Sequence, residues 1–261
     1  MFIRRVHIPE PWPGQEPIDT SQWPYTIPAI AQIAKRGLEF SAPVTFLVGE
    51  NGSGKSTLVE AIAEAYGISP RGGRGHRQRK IPVSERSELG QRLQLDLTPQ
   101  GAKYAASRKL KSRSYFLRAE TAFDFIEFIS SFEYILPGYW QDDLRVKSHG
   151  EGFMAVLETI FTEPGLYLMD EPEAALSFSS CLQLVGLLDH LGRSGAQVIC
   201  ATHSPLLTAT PAAGIIELSD HGAQHTKWED LQLVDHWRRY LARPDAYLHH
   251  VTGDPAETDL G

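Results

Sequence analysis

The stretch that decides the fold is Gly49-Glu50-Asn51-Gly52-Ser53-Gly54-Lys55-Ser56-Thr57, with Val44-Thr45-Phe46-Leu47-Val48 before it and Leu58-Val59-Glu60-Ala61-Ile62-Ala63-Glu64-Ala65 after it. The leading run is short and apolar, as a buried strand requires. The trailing run has helical composition. The nine residues between them fit G-x-x-x-x-G-K-[ST] at every fixed position. Glycines let successive backbone N–H groups turn inward as an anion nest. The following helix adds unpaired N–H groups and a positive dipole end. Gly49, Asn51, Gly52, Ser53, Gly54 and Thr57 are therefore expected around a chain of phosphates. Lys55 would reach the outer phosphates, and the Ser56 hydroxyl would take one Mg²⁺ position. The predicted ligand is a nucleoside triphosphate.

The chain around this motif has 261 residues, 42% of them hydrophobic and 22% charged. Those values suit a globular protein that buries a full core. No apolar run approaches the roughly 20 residues of a membrane helix, so membrane insertion is not expected. The opening Met1-Phe2-Ile3-Arg4-Arg5-Val6 is too short and too charged for a secretory signal. Cys181 and Cys200 are the two cysteines, both in apolar surroundings. They read as buried thiols rather than a disulfide or a metal pair. A cytoplasmic location is the expectation.

Net charge is −7, which argues against a protein that is basic all over. The distribution is uneven, however. Residues 71–118 hold thirteen Lys and Arg against three Asp and Glu. That excess points to an anionic partner such as nucleic acid; a solvated basic face accounts for the same pattern.

Patterning elsewhere predicts alternating strands and helices. Strands are expected at 2–8, 38–40, 44–48, 115–117, 165–169 and 197–201, with a late hairpin at 215–218 and 224–227. Helices are expected at 28–36, 121–134, 152–161, 181–191, 230–242 and 244–250. Residues 71–75 read as a flexible basic loop. This alternation implies an α/β fold with a mainly parallel core sheet flanked by helices, preceded by a short N-terminal antiparallel β element.

A second set of motifs complements the phosphate loop. Leu166-Tyr167-Leu168-Met169 forms a buried strand that ends in Asp170-Glu171. Asp170 is placed to approach Mg²⁺, and Glu171 to polarise an attacking water. His203 follows the strand 197–201 within Ala201-Thr202-His203-Ser204-Pro205. A histidine at that position can donate to a γ-phosphate or to the water.

With these residues the chain resembles an ABC-type (ATP-binding-cassette) ATPase. The likeness is strong over 44–66, 148–176 and 197–207. Asp170-Glu171-Pro172 resembles the family's acid pair and its proline, and Glu173-Ala174-Ala175-Leu176-Ser177 the D-loop. His203 resembles the switch histidine. Ser148-His149-Gly150-Glu151-Gly152, just before the helix expected at 152–161, resembles the signature LSGGQ. Ser148 and Gly150 match the pattern; His149 and Glu151 depart from it. More narrowly, the motif set resembles small stand-alone bacterial ATPases.

The resemblance implies one ABC-type ATPase domain over 1–261, with a core lobe at about 1–80 and 162–261. A basic, helical insert with the signature subdomain would occupy about 81–161. It also implies ATP and Mg²⁺ as ligands. Catalysis would fall to Glu171, His203 and Lys55, and metal binding to Ser56 and Asp170. Ser148 and Gly150 would serve the nucleotide of a second copy, so a homodimer that sandwiches ATP is expected. A switch acting on a partner, a transporter subunit and a non-catalytic ATP-gated module all remain compatible. The family's glutamine after an intervening strand has no clear counterpart, and Arg118 or Glu120 stands closest by position. Trp23, Tyr25 and Phe40 are candidates for stacking on the base.

Overall fold

The computed structural model of the protein describes residues 1–11, 13–14, 16–74, 82, 85–118 and 149–252. Its centre is a seven-stranded sheet ordered β10-β9-β3-β8-β7-β6-β4. These strands are β3 (Val44–Val48), β4 (Gly73–Arg74), β6 (Tyr115–Arg118), β7 (Leu166–Asp170), β8 (Gln197–Ala201), β9 (Gly214–Ser219) and β10 (Gly222–Thr226). The inner five run parallel, while β4 and β10 close the edges antiparallel. The carboxyl ends of β3, β6, β7, β8 and β9 therefore share one rim, where parallel α/β sheets offer their crevice. A smaller three-stranded sheet holds β1 (Ile3–His7) between β2 (Leu38–Glu39) and β5 (Gln94–Leu97), all antiparallel.

Alternation along the central strands sorts side chains to two faces. Leu47, Leu168 and Ile199 enter one core with Ile30, Leu58 and Ile62. Phe46, Val48, Tyr167, Met169, Val198 and Cys200 enter the other with Phe153, Leu157, Leu184 and Leu188. The first face is covered by α1 (Pro28–Arg36) and α2 (Lys55–Tyr66). The second is covered by α6 (His149–Ile160) and α7 (Phe178–Arg193). Burial on both faces explains why the central strands are continuously apolar. Both cysteines are free and buried, and burial pushes both thiols up from their ordinary range.

One polar side chain joins the two sheets. Gln197, fully buried at the start of β8, accepts from Phe2 N at 2.6 Å and Ile3 N at 2.7 Å. It donates back to Ile3 O at 2.9 Å. Three backbone groups of the N-terminal strand are thus satisfied in the interior, where an unpaired amide is costly.

Several expectations need correction. Gly73–Arg74, read as part of a loop, pair with Tyr115 and Phe116 as β4, because the sheet edge offers them backbone partners. The segment expected as an insert from about 81 supplies β5 to the small sheet and β6 to the central one. It carries α3 (Glu88–Arg92), α4 (Pro99–Ala106) and α5 (Arg108–Lys111). The helix expected from 152 begins at His149, so His149–Gly152 form its first turn rather than a preceding loop. The helix expected at 121–134 lies outside the described residues, as do Ser148 and Glu120. The chain ends, within the described residues, in α8 (Gln232–Ala242) and α9 (Pro244–Thr252). Among the described residues no helix is long and apolar enough to cross a membrane.

Candidate functional site

The phosphate loop leaves β3 and returns into α2 through Gly54, the residue preceding the helix. Gly54 has φ 96° and ψ 10°, a left-handed conformation that favours glycine. At Gly49 the constraint is close approach, since a Cβ there would run into the carbonyl oxygen of Leu218 on β9. Helix α2 starts at Lys55 and presents its open N-terminal amides to the loop. The Ser53 Oγ is buried and has no hydrogen-bond partner among the described residues. Asn51 and Gly52 form the exposed tip.

Lys55 is 4% exposed. Its ammonium donates to Gly49 O at 2.9 Å and to Glu50 O at 3.2 Å. Burial lowers its pKa, while the charges of Glu171, Asp170, Glu50 and Glu173 pull it back. The lysine therefore folds over the loop whose backbone it would share with a phosphate.

The second wall comes from β7. Ser56 Oγ donates to Asp170 Oδ1 at 2.9 Å, joining two residues 114 apart in sequence. Asp170 is 8% exposed. Burial raises its carboxyl above the ordinary range, against the lowering effects of the Ser56 hydroxyl and Arg118. A hydroxyl and a carboxylate converging beside a nest of backbone amides are the hard oxygen donors that suit Mg²⁺. The residues present thus fit a Mg–triphosphate ligand.

Glu171 turns the chain away from β7. Its φ is 51° and ψ 49°, a conformation uncommon for a residue with a side chain. Its N–H donates to Ala201 O at 2.9 Å. Its carboxylate Oε1 lies 3.3 Å from His203 Nε2, an ion pair when the imidazole is protonated. Lys55, Ser56, Asp170, Glu171 and His203 thus come together from three strand ends. A recess of about 280 Å³ opens beside the loop, lined by Gly49–Ser53, His203, the end of β9 and the start of α8.

Other expectations fare differently. Arg118 ends β6 in register with Asp170. Its guanidinium lies 2.6 Å from Glu60 Oε1 on α2 and donates to Pro70 O at 3.1 Å. It therefore stands beside the Asp170 wall. Gly150 lies in the first turn of α6, and Ser148 falls outside the described residues. Tyr25 and Phe40 are 1% and 2% exposed and belong to the core under α1. Neither can stack on a base, whereas Trp23 is 61% exposed.

Sequence reasoning missed Glu173 and Thr202. Glu173 Oε1 accepts from Thr202 Oγ1 and from His203 N, each at 2.6 Å. The only signal was an acid two residues beyond Glu171, which read as part of the D-loop.

The fold and these residues define a P-loop nucleotide-binding protein. Two family models match the chain, "AAA domain" over residues 26–125 and "AAA domain, putative AbiEii toxin, Type IV TA system" over residues 153–209. A Streptomyces coelicolor protein named "Putative ABC transporter ATP-binding protein" is 29% identical over 181 residues, covering 67% of this chain and 31% of that protein. ABC transporter G family member 2 of Dictyostelium discoideum is 28% identical over 242 residues, covering 82% of this chain and 18% of that protein. This chain thus spans about a third or less of the length of these relatives. Among solved structures, CbiO1 of Clostridium perfringens, part of the ABC transporter complex CbiONQ, superposes with a TM-score of 0.44 at 15% identity. That alignment covers 84% of this chain and 90% of the other. With the motif order and the family matches, the chain is similar to ABC-type P-loop ATPases.

Proposed function

We propose that the protein binds Mg-ATP and hydrolyses it between two copies of itself, as a switch that acts on a partner. The observation that carries this reading is the meeting of Lys55, the Ser56–Asp170 pair and the Glu171–His203 pair at one sheet rim. Backbone amides of Gly49–Thr57 hold the phosphates, and Lys55 offsets charge on the outer ones. Ser56 and Asp170 would hold Mg²⁺, which would neutralise charge on the phosphate oxygens. Glu171 takes a proton from water as the water oxygen bonds to the γ-phosphorus. The bond from that phosphorus to the β–γ bridging oxygen breaks, giving ADP and inorganic phosphate. His203 orients the γ-phosphate and the water. Ser148 and Gly150 of the second copy complete the site, and hydrolysis releases the interface.

Nucleic acid is the partner that the charge distribution favours. Lys103, Arg108 and Lys109 are exposed on α4 and α5, within a basic segment of an acidic chain. A family description that names a toxin–antitoxin system supports a role in defence. A second reading, the nucleotide-binding subunit of a membrane transporter, is favoured by the names of the relatives.

The deciding experiment is phosphate release from Mg-ATP, combined with size-exclusion chromatography of Glu171→Gln. Turnover by the wild type and an ATP-dependent dimer of the variant are expected. No turnover, or a variant that stays monomeric in Mg-ATP, would overturn the reading. Co-purification of the variant with a membrane protein would favour the transporter alternative.

A further inference from the structure

The turn after β7 and the turn after β8 are tied together by more than the contact between Glu171 and His203. Glu171 N donates to Ala201 O. Beyond that bond, a single oxygen, Glu173 Oε1, accepts both the Thr202 hydroxyl and the His203 amide. Thr202 is fully buried, and its hydroxyl oxygen also accepts from Ser204 N at 3.0 Å. The backbone on both sides of His203 Cα is therefore fixed by one hydroxyl and one carboxyl group. The chain from Glu171 through Pro172 to Glu173 brings His203 back beside Glu171, with Nε2 3.3 Å from Glu171 Oε1, a close approach that is not a hydrogen bond. The second oxygen, Glu173 Oε2, is buried without a hydrogen-bond partner among the described residues. Burial raises the carboxyl of Glu173 above its ordinary range, against the pull of Thr202 and the backbone amides. A buried acid with one oxygen unpaired is costly to the fold. A short turn could end on a smaller residue without that cost, so the carboxyl group calls for a purpose.

We propose that Glu173 is a positioning residue for hydrolysis: it clamps Thr202 and His203 so that the imidazole stays aimed at Glu171 and at the γ-phosphate between them. Glu173 touches neither nucleotide nor water; it acts through the direction of His203. The inference rests on the ATPase reading above.

The test compares wild type, Glu171→Gln, Glu173→Ala, Glu173→Gln, Thr202→Val and the Glu173→Ala/Thr202→Val double variant. Glu173→Ala is expected to lower kcat by roughly 100-fold, the cost of a small misplacement in the site, and to leave KM and fluorescent-nucleotide affinity within about threefold. Glu173→Gln is expected to keep kcat within about threefold, because its amide oxygen can accept the same two hydrogen bonds. The double variant should be little slower than Glu173→Ala, since both changes break one clamp. Hydrogen–deuterium exchange at the His203 amide should speed up in Glu173→Ala and stay slow in Glu173→Gln.

Wild-type kcat in Glu173→Ala would overturn the proposal. So would parallel loss of nucleotide binding and turnover, or a Glu173→Gln variant as slow as Glu173→Ala. A wild type no faster than Glu171→Gln would instead overturn the ATPase reading. Exchange then judges the clamp alone: unchanged protection in Glu173→Ala would overturn it, and lost protection would support it.

Discussion

His203 Nε2 stands 3.3 Å from Glu171 Oε1 although the two residues leave different strands. β7 and β8 are parallel neighbours with Asp170 opposite Ala201, so both chains emerge at the same level. Two turns then make the contact. Glu171 adopts a left-handed backbone, which sends its side chain across to the next strand. Glu173 holds the loop after β8 in place. The pairing is therefore a property of two loops on a rigid sheet, which is how precise sites are commonly held.

Replacing the proposed base should separate binding from chemistry. Glu171→Gln keeps the size of the side chain and removes its ability to take a proton. Turnover is expected to fall by roughly 100- to 10,000-fold, with nucleotide affinity retained. Single-turnover phosphate release measured beside nucleotide binding checks this. Equal loss of both would remove Glu171 from the catalytic role.

Lys55 should behave in the opposite way. Its ammonium sits on the carbonyls of Gly49 and Glu50, so Lys55→Ala removes the charge that would meet the outer phosphates. A ligand at a hundred times its Kd stabilises the folded state by about 2.7 kcal/mol. Wild type should show a rise in Tm with Mg-ATP of that origin, and Lys55→Ala should not. An undiminished ATP-dependent rise in the variant would count against the assigned phosphate loop.

The strand ends that carry Gly49–Thr57, Asp170–Glu171 and His203 were legible in the sequence because each is a local pattern. A glycine spacing, an apolar strand ending in acid and a strand followed by histidine are fixed by near neighbours. Tyr25 and Phe40 were ambiguous for the opposite reason, since an aromatic residue looks alike whether it faces a base or the core. The same limit hid Glu173: its partners, Thr202 and His203, lie about thirty residues away and meet it only through the register of β7 with β8. Gly73–Arg74 escaped because two residues have no period, and pairing with β6 alone makes them a strand.

Asp170 should weaken the nucleotide-free fold near neutral pH. Burial raises its carboxyl in the folded state, so the folded protein holds that proton more tightly than the unfolded chain does. Such a group favours the fold below its unfolded value, and the contribution is lost as pH rises through the folded value. Ionised Asp170 therefore opposes folding near neutrality. Asp170→Asn retains an acceptor for Ser56 and should raise the Tm of the nucleotide-free protein there. The gain should shrink as pH falls towards the ordinary carboxylate range. Thermal unfolding of both proteins across pH measures it, and a gain that grows in acid would contradict the assignment.

Gln197 should matter to stability without touching the site. Gln197→Leu leaves Phe2 N, Ile3 N and Ile3 O without the partner that satisfies them. Each buried unsatisfied group costs about 1–3 kcal/mol. A loss of roughly 2–5 kcal/mol in urea unfolding is expected after partial relaxation, with earlier proteolysis of the N-terminal strand. A change below about 0.5 kcal/mol would place the small sheet's anchorage elsewhere.

The basic segment offers the sharpest test of the partner. Not all of its cations are free to meet one. Lys111 Nζ sits 5.8 Å from the centre of the Tyr66 ring, and Arg113 Nε lies 2.7 Å from Glu163 Oε2. Both serve the fold, whereas Lys103, Arg108 and Lys109 are exposed. Each phosphate contact contributes about 0.7–0.9 to the slope of log affinity against log salt. Reversing these three residues to Glu should therefore flatten that slope by roughly 2–3 for an oligonucleotide and weaken binding at low salt. ATP turnover without nucleic acid should not change, because none of the three lies at the carboxyl rim of the sheet. If wild-type binding proves absent or insensitive to salt, the nucleic-acid reading fails and the basic segment is a solvated face.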